Sequence, residues 1–249
     1  MSLLTVNEIK ASESGAILLD GLSFEINEKG IYAILAKNKK AKTLLARVLA
    51  GISEFDSGEI IFKDTALSNK KDGIAAKAKI GYMPSECFFY SDMTVYETLD
   101  FTGRMRKTDT DKRIRQIKAA LEFVFLTEKS EALVKDLTAS EKKRLALANT
   151  LVGNPSLLIL DDPMAGVNGD DRTLISDIIS SLSEKKAVVI ITDRVGDAKK
   201  LASTVGILSN KKIALWETVE EIKERLSGDE DALFKTYLAF SENEEEGGK

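Results

Sequence analysis

The residues best suited to chemistry fall into three short stretches. Ala36-Lys37-Asn38-Lys39-Lys40-Ala41-Lys42-Thr43 places four lysines in eight positions, just ahead of a helical pattern. A basic loop at a helix N-terminus attracts anions through its charge; the alternative is a solvated lysine loop that binds nothing. Asp161 and Asp162 close the apolar run Leu157-Leu158-Ile159-Leu160, setting two carboxylates at a strand end. Those carboxylates serve either a reaction or the structure alone. Leu137-Thr138-Ala139-Ser140-Glu141 precedes another helical pattern, and either Thr138 or Ser140 can cap it. The chain has no histidine, which removes the commonest general base and the commonest zinc ligand.

The elements that must position these groups alternate along the chain. Leu3 to Ile9, Leu22 to Ile26, Ile31 to Leu35 and Glu59 to Lys63 read as strands, with Glu28-Lys29-Gly30 as a turn. Thr43 to Ala50 reads as a helix ending at Gly51, 66 to 78 holds a short helix, and Lys79 to Met83 is a strand closed by Pro84. Thr94 to Arg106, Asp111 to Val124 and Glu128 to Lys135 carry apolar residues at helical spacing, and Thr94 with Glu97 fits a capping box. A helix over Ser140 to Val152 follows. Strands at Leu157 to Leu160, Ala187 to Ile191, Thr204 to Leu208 and Lys212 to Leu215 then alternate with helices at about Asp170 to Ser183 and Ala198 to Ala202. Continuous apolar strands between helices indicate a largely parallel sheet covered on both faces. The fold class is α/β, with short strands at the N-terminus and an all-helical subdomain inserted into the core. The expected division is one domain over 1–249. Residues 1–84 and 140–240 form the core with its β-subdomain, about 85–139 the helical subdomain, and 241–249 an acidic, solvated tail.

Composition narrows the class. At 249 residues, 43% of them apolar, the chain can bury a substantial core, and a formal charge of −4 gives no reason to expect nucleic acid. The single cysteine, Cys87, excludes an internal disulfide and suits a reducing compartment. No apolar run approaches the ~20 residues needed to span a bilayer, and the N-terminus lacks the pattern of a signal peptide.

Five segments in order resemble the ABC-transporter ATPase family. Glu28 to Leu35 resembles the strand before its phosphate loop, Ile80-Gly81-Tyr82-Met83-Pro84 the run before its switch glutamine, and Met93 to Leu99 the start of its helical subdomain. Asn154 to Pro163 is similar to its Walker B region, and Val219 to Lys223 with Asp231 to Phe234 echoes exporter-type members. The resemblance implies a P-loop NTPase-like core with an N-terminal antiparallel β-subdomain, and ATP and Mg²⁺ as cofactors, to the extent that nucleotide binding survives. It implies Asn38, Lys39, Lys40, Ala41, Lys42, Thr43, Thr138 and Ser140 at the nucleotide, Thr43 and Asp161 at the metal, and Asp162 as the catalytic carboxylate. The implied partners are a membrane-spanning permease subunit and a second ATPase subunit or a copy of this chain. The implied location is the cytoplasm, at the inner face of the membrane through that partner. Cys87-Phe88-Phe89-Tyr90 falls where family members meet the permease; exposure there favours docking and burial makes it ordinary core.

The chain departs from the family at nearly every nucleotide-handling position. The phosphate loop G-x-x-x-x-G-K-[ST] keeps only its lysine and threonine, Lys42 and Thr43, and has no glycine. A loop without glycine either bears backbone strain or relaxes into another shape. The catalytic glutamate is Asp162, shorter by one methylene. The signature serine and glycines become Thr138-Ala139-Ser140, followed by Glu141, an extra negative charge near the expected phosphate. Ser85 or Glu86 stands for the switch glutamine, Asn168 for the D-loop aspartate and Asp193 for the switch histidine. No aromatic residue stands between about Lys10 and Ala16 to stack on adenine. The expectation is a degenerate ATPase subunit with a structural or regulatory role. The alternatives are an atypical, slow ATPase and a soluble ABC-like interaction protein.

Overall fold

In the first two strands buried and exposed residues alternate, because only one face of their sheet meets the core. In a computed structural model describing residues 2–69, 71–225, 231, 233 and 235–240, β1 (Leu4–Glu13) and β2 (Ala16–Ile26) form an antiparallel hairpin. Its turn residues Ser14 and Gly15 both have positive φ, 51° and 80°, which suits the twist of a two-residue hairpin. Both strands run past the expected limits. They turn 10–16 into ladder and hairpin, where no aromatic side chain is presented.

Next come β3 (Gly30–Ala36), α1 (Lys39–Leu49), β4 (Ser57–Phe62), β5 (Thr65–Ala66), α2 (Asp72–Lys77) and β6 (Ile80–Met83). The helical segment holds α3 (Val95–Met105) and α4 (Thr110–Phe123), and α5 (Ala139–Leu151) returns the chain to the core. The order closes with β7 (Leu157–Asp161), α6 (Gly169–Ser183), β8 (Ala187–Thr192), α7 (Val195–Leu201), β9 (Thr204–Ser209), β10 (Lys212–Thr218) and α8 (Val219–Arg225).

Two sheets result. The order β2-β1-β4-β5 is antiparallel, and β10-β9-β3-β8-β7-β6 is parallel except for its edge strand β10. The strands β7 and β8 are buried along their whole length, as expected of a sheet with helices on both faces. Register then decides where the chemistry sits. Leu35 pairs with Thr192 and Asp161 with Ile191, so β3, β7 and β8 end at one level.

One predicted helix is absent. Residues 128–135 form only two short 3-10 turns, Thr127–Lys129 and Val134–Asp136. The backbone between them is engaged elsewhere: Val95 and Tyr96 donate to the carbonyls of Ala132 and Ser130, and Val134 donates to that of Met93. Those bonds tie the segment to the start of α3 while Leu126 and Val134 enter the core, so it cannot close a helix. The capping box is present, with Glu97 N–H donating to Thr94 Oγ1 at 3.0 Å. The acidic tail, 241–249, lies outside the described residues, as does part of Asp231 to Phe234.

Candidate functional site

The lysine loop is a helix start. Asn38, at φ −75° and ψ 110°, caps α1 by accepting a hydrogen bond from Ala41 N–H at 3.1 Å, and Lys42 N–H donates to Asn38 O at 3.0 Å. The helix therefore begins at Lys39, four residues before the position expected from the sequence. No residue from 36 to 43 has a positive φ. A backbone cradle for phosphate combines right- and left-handed residues so that successive N–H groups converge. Of the two outcomes open to a loop without glycine, relaxation is the one observed, and the helix has absorbed the loop. Asn38 takes up Ala41 N–H and Lys42 N–H, and no left-handed residue bends the stretch into a converging cradle.

The side chains tell the same story. Lys42 is only 2% exposed, and its ammonium donates to Asp162 Oδ2 at 2.6 Å and to Asp193 Oδ2 at 3.1 Å. Burial alone pulls its pKa down. The two carboxylates outweigh burial and hold the group above the ordinary lysine value. Asp162 reaches this position from a left-handed backbone, φ 44°, fixed by its N–H to Ile191 O and by Ala165 N–H to its own carbonyl. Aspartate tolerates that conformation better than most residues.

Beside this triad, Thr43 Oγ1 donates to Asp161 Oδ2 at 2.9 Å. Asp161 is fully buried, and its Oδ1 has no hydrogen-bond partner among the described residues. Burial pushes its carboxyl above the usual range, reinforced by the Asp162 charge and opposed by the Thr43 hydroxyl, the Lys42 charge and the nearby Ser85 hydroxyl. A buried carboxylate oxygen without a donor, next to a hydroxyl, is a donor set that fits a hard divalent cation such as Mg²⁺. Among the described residues no cluster of three acidic, histidine or cysteine ligands forms. Thr43 and Asp161 would be the protein's share of such a site.

Thr138 and Ser140 lie at the start of α5, and no hydrogen bond or ion pair among the described residues joins them to the Lys42 cluster. Thr138 rather than Ser140 is the cap. Its hydroxyl accepts from Glu141 N–H at 3.2 Å, and Glu141 Oε2 accepts from Thr138 N–H at 2.8 Å. That backbone bond heads the causes holding the Glu141 carboxyl below its ordinary value. Glu141 is thus engaged with its own helix. Ser140 is buried, and its hydroxyl has no partner among the described residues. Lys39 and Lys40 are exposed on the first turn of α1, and Lys39 pairs with Glu86 at 3.3 Å.

Sequence reasoning placed Asp193 at the switch-histidine position and missed that it neutralises Lys42. The signal was available: a family lysine with aspartate at both nearby switch positions. It also missed Lys143, whose ammonium donates to Ser85 O at 2.7 Å and ties α5 to the segment after β6. In that segment Phe88 is 87% and Tyr90 65% exposed, while Cys87 and Phe89 pack partly against the core. Tyr90 meets Phe101 edge-on, with ring centroids 6.1 Å apart.

Comparison with known proteins agrees with this architecture. The ABC transporter family pattern matches residues 19–165. An ABC transporter ATP-binding protein of Bacillus subtilis, YxlF, is 30% identical over 90% of this chain and 73% of its own length. The linearmycin resistance ATP-binding protein LnrL of the same organism is 26% identical over 91% of this chain and 73% of its own. Among solved structures, CbiO1 from Clostridium perfringens, part of the transporter complex CbiONQ, superposes with a TM-score of 0.80. It is 23% identical and covers 92% of each chain.

Proposed function

The chain belongs to the ABC transporter family as an ATP-binding subunit, and from that premise we propose that its own nucleotide site is a pseudo-site. The observation carrying this reading is the occupation of the Lys42 ammonium by Asp162 and Asp193. In the family that lysine meets nucleotide phosphate. Here two carboxylates stand where that anion would, and the backbone that would add N–H donors is helical. ATP must displace two internal acceptors and bring its own negative charge close to Asp162 and Asp193. The subunit then acts as a structural or regulatory half of a transporter. It sits at the inner face of a membrane-spanning permease and beside a second ATPase subunit or a copy of itself. No described helix is long and apolar enough to cross a membrane, so on this reading membrane contact goes through the partner. The exposed Phe88, Tyr90 and Phe101 supply an apolar docking patch for it.

A second reading, a slow ATPase, draws on one observation: Thr43 and Asp161 keep the arrangement a Mg²⁺ site needs. Calorimetric titration with Mg-ATP, beside a Lys42→Ala variant, separates the two. The pseudo-site reading expects no saturable heat and no rise in melting temperature at millimolar ATP. Saturable binding lost in the variant, with steady turnover, would establish the slow ATPase instead.

A further inference from the structure

A cavity of about 520 Å³ lies at the end of the molecule opposite the Lys42 site. Lys42, Asp161 and Asp193 gather at the C-terminal ends of the parallel strands; the cavity opens where β7 and β8 begin, beside Asn154 and Lys186. One wall is α4 and the other is the C-terminal end of α6, so the cavity spans the helical segment and the sheet core. Its volume is in the range of small-molecule sites, ~300–1,000 Å³.

The lining has two chemistries. Phe123, Ala119, Ala120, Leu151 and Leu182 provide apolar surface. Lys112, Arg115, Lys185 and Lys186 stand around it with Glu184 as the single acid. Lys112, Arg115 and Lys185 make no ion pair among the described residues, so their charges are uncompensated. Lys186 is the informative one. It is half-buried, and its ammonium donates to two neutral acceptors, Pro155 O at 2.5 Å and Asn154 Oδ1 at 2.9 Å. An ammonium has three N–H donors, so one remains. A partly desolvated cation held only by neutral groups is stabilised by an incoming anion. Burial accordingly lowers its pKa.

We propose that this cavity binds a small amphiphilic anion, with an acidic head at Lys186, Arg115 and Lys185 and a flat apolar body against Phe123 and Leu182. Such a ligand touches α4 and α6 together and stiffens the helical segment against the core. The site stands apart from the Lys42 cluster and does not depend on whether that cluster binds nucleotide.

The probe is 1-anilinonaphthalene-8-sulfonate, whose fluorescence rises on entering apolar surroundings. Purified protein is titrated beside Arg115→Glu/Lys185→Glu, which reverses two exposed charges, and Ala119→Trp, which fills the cavity from exposed α4. Saturable one-to-one binding is expected. It should weaken about tenfold or more in the charge-reversed protein, weaken in the filled one, and weaken with added salt. The uncharged N-phenyl-1-naphthylamine should bind less well than the sulfonate. Absence of saturable binding to the unaltered protein overturns the proposal, and so does either variant binding the sulfonate as tightly as that protein.

Discussion

Replacing Lys42 by methionine, with no nucleotide present, tests the internal ion cluster directly. A phosphate-binding lysine without its phosphate is a desolvated cation, and removing it leaves stability unchanged or raises it. A lysine that already holds two carboxylates gives the opposite sign, because its removal leaves Asp162 and Asp193 facing each other. Breaking a buried pair by removing one partner costs about 3–5 kcal/mol. The structure discounts this figure. Lys42 is 2% and Asp162 17% exposed, but Asp193 is 52% exposed and can hydrate. A loss of about 2 kcal/mol is therefore expected, a fall of about 4–8 °C in melting temperature for a chain of this size. The partners should rank by burial and distance. Asp162→Asn, at 2.6 Å and mostly buried, costs more than Asp193→Asn, at 3.1 Å and half in water. The Lys42→Met/Asp162→Asn double variant should lose less than the sum of the singles by about 1 kcal/mol or more. Urea unfolding and thermal scans read all four. A Lys42→Met protein as stable as the parent, or more stable, would refute the claim that the lysine is internally occupied.

Asp161→Asn should stabilise the free protein. Its folded pKa is raised, so its ionised form weakens the native state at neutral pH, and that cost disappears as pH falls through the raised value; thermal scans should show a higher melting temperature than the parent at pH 7, with the difference closing as pH falls. Asp100 and Glu141 have the opposite sign. Burial works against ionised Asp100, but hydrogen bonds from Arg113 and Arg104 more than reverse it, and the Thr138 backbone does the same for Glu141. Their contribution is present above the ordinary carboxylate range and lost as pH falls through the lowered values. The urea midpoint should therefore drop between about pH 5 and pH 3, less steeply in Asp100→Asn/Glu141→Gln. Gly103→Ala should cost about 1–3 kcal/mol, read by urea unfolding. Its Cβ would stand 2.4 Å from Arg113 Cδ, and Arg113 is pinned by Asp100 at 2.6 Å and by Thr108 O at 2.9 Å.

The sheet core was legible because its signals are local and repeated. Leu157 to Leu160 and Ala187 to Ile191 are continuous apolar runs, and strands buried on both faces leave no other way to satisfy them. The capping box at Thr94 was equally plain, since a hydroxyl and a carboxylate three residues apart leave a signature in the sequence itself. What failed depended on distant partners. The helix expected over 128–135 lost its backbone donors and acceptors to the start of α3, a competition invisible to helical periodicity. The start of α1 was misplaced because the family pattern put a loop at 36–42. The residues present there are good helix formers, with Asn38 in the right place to cap them.

Read together, the departures around Lys42 are a single physical change rather than several independent losses. Lys42 is buried in this fold, and a buried ammonium needs an anion. With glycines in the loop that anion can be a phosphate, held by converging N–H groups. Here, with no glycine from 36 to 43, α1 begins at Lys39 and Ala41 N–H turns to Asn38; on the proposed reading the ammonium then has no external partner. Acceptors must then come from within. The strand ends supply positions for them, because register brings β7 and β8 to the level of β3. An aspartate at 162 is short enough to stay beside its strand, and the left-handed backbone there returns its carboxylate to within 2.6 Å of Lys42. An aspartate at 193 adds the second acceptor where a histidine would have offered a donor to phosphate. On the proposed reading the two aspartates stabilise the unliganded protein through Lys42, and replacing Asp193 by histidine would leave the lysine with Asp162 as its one carboxylate partner among the described residues.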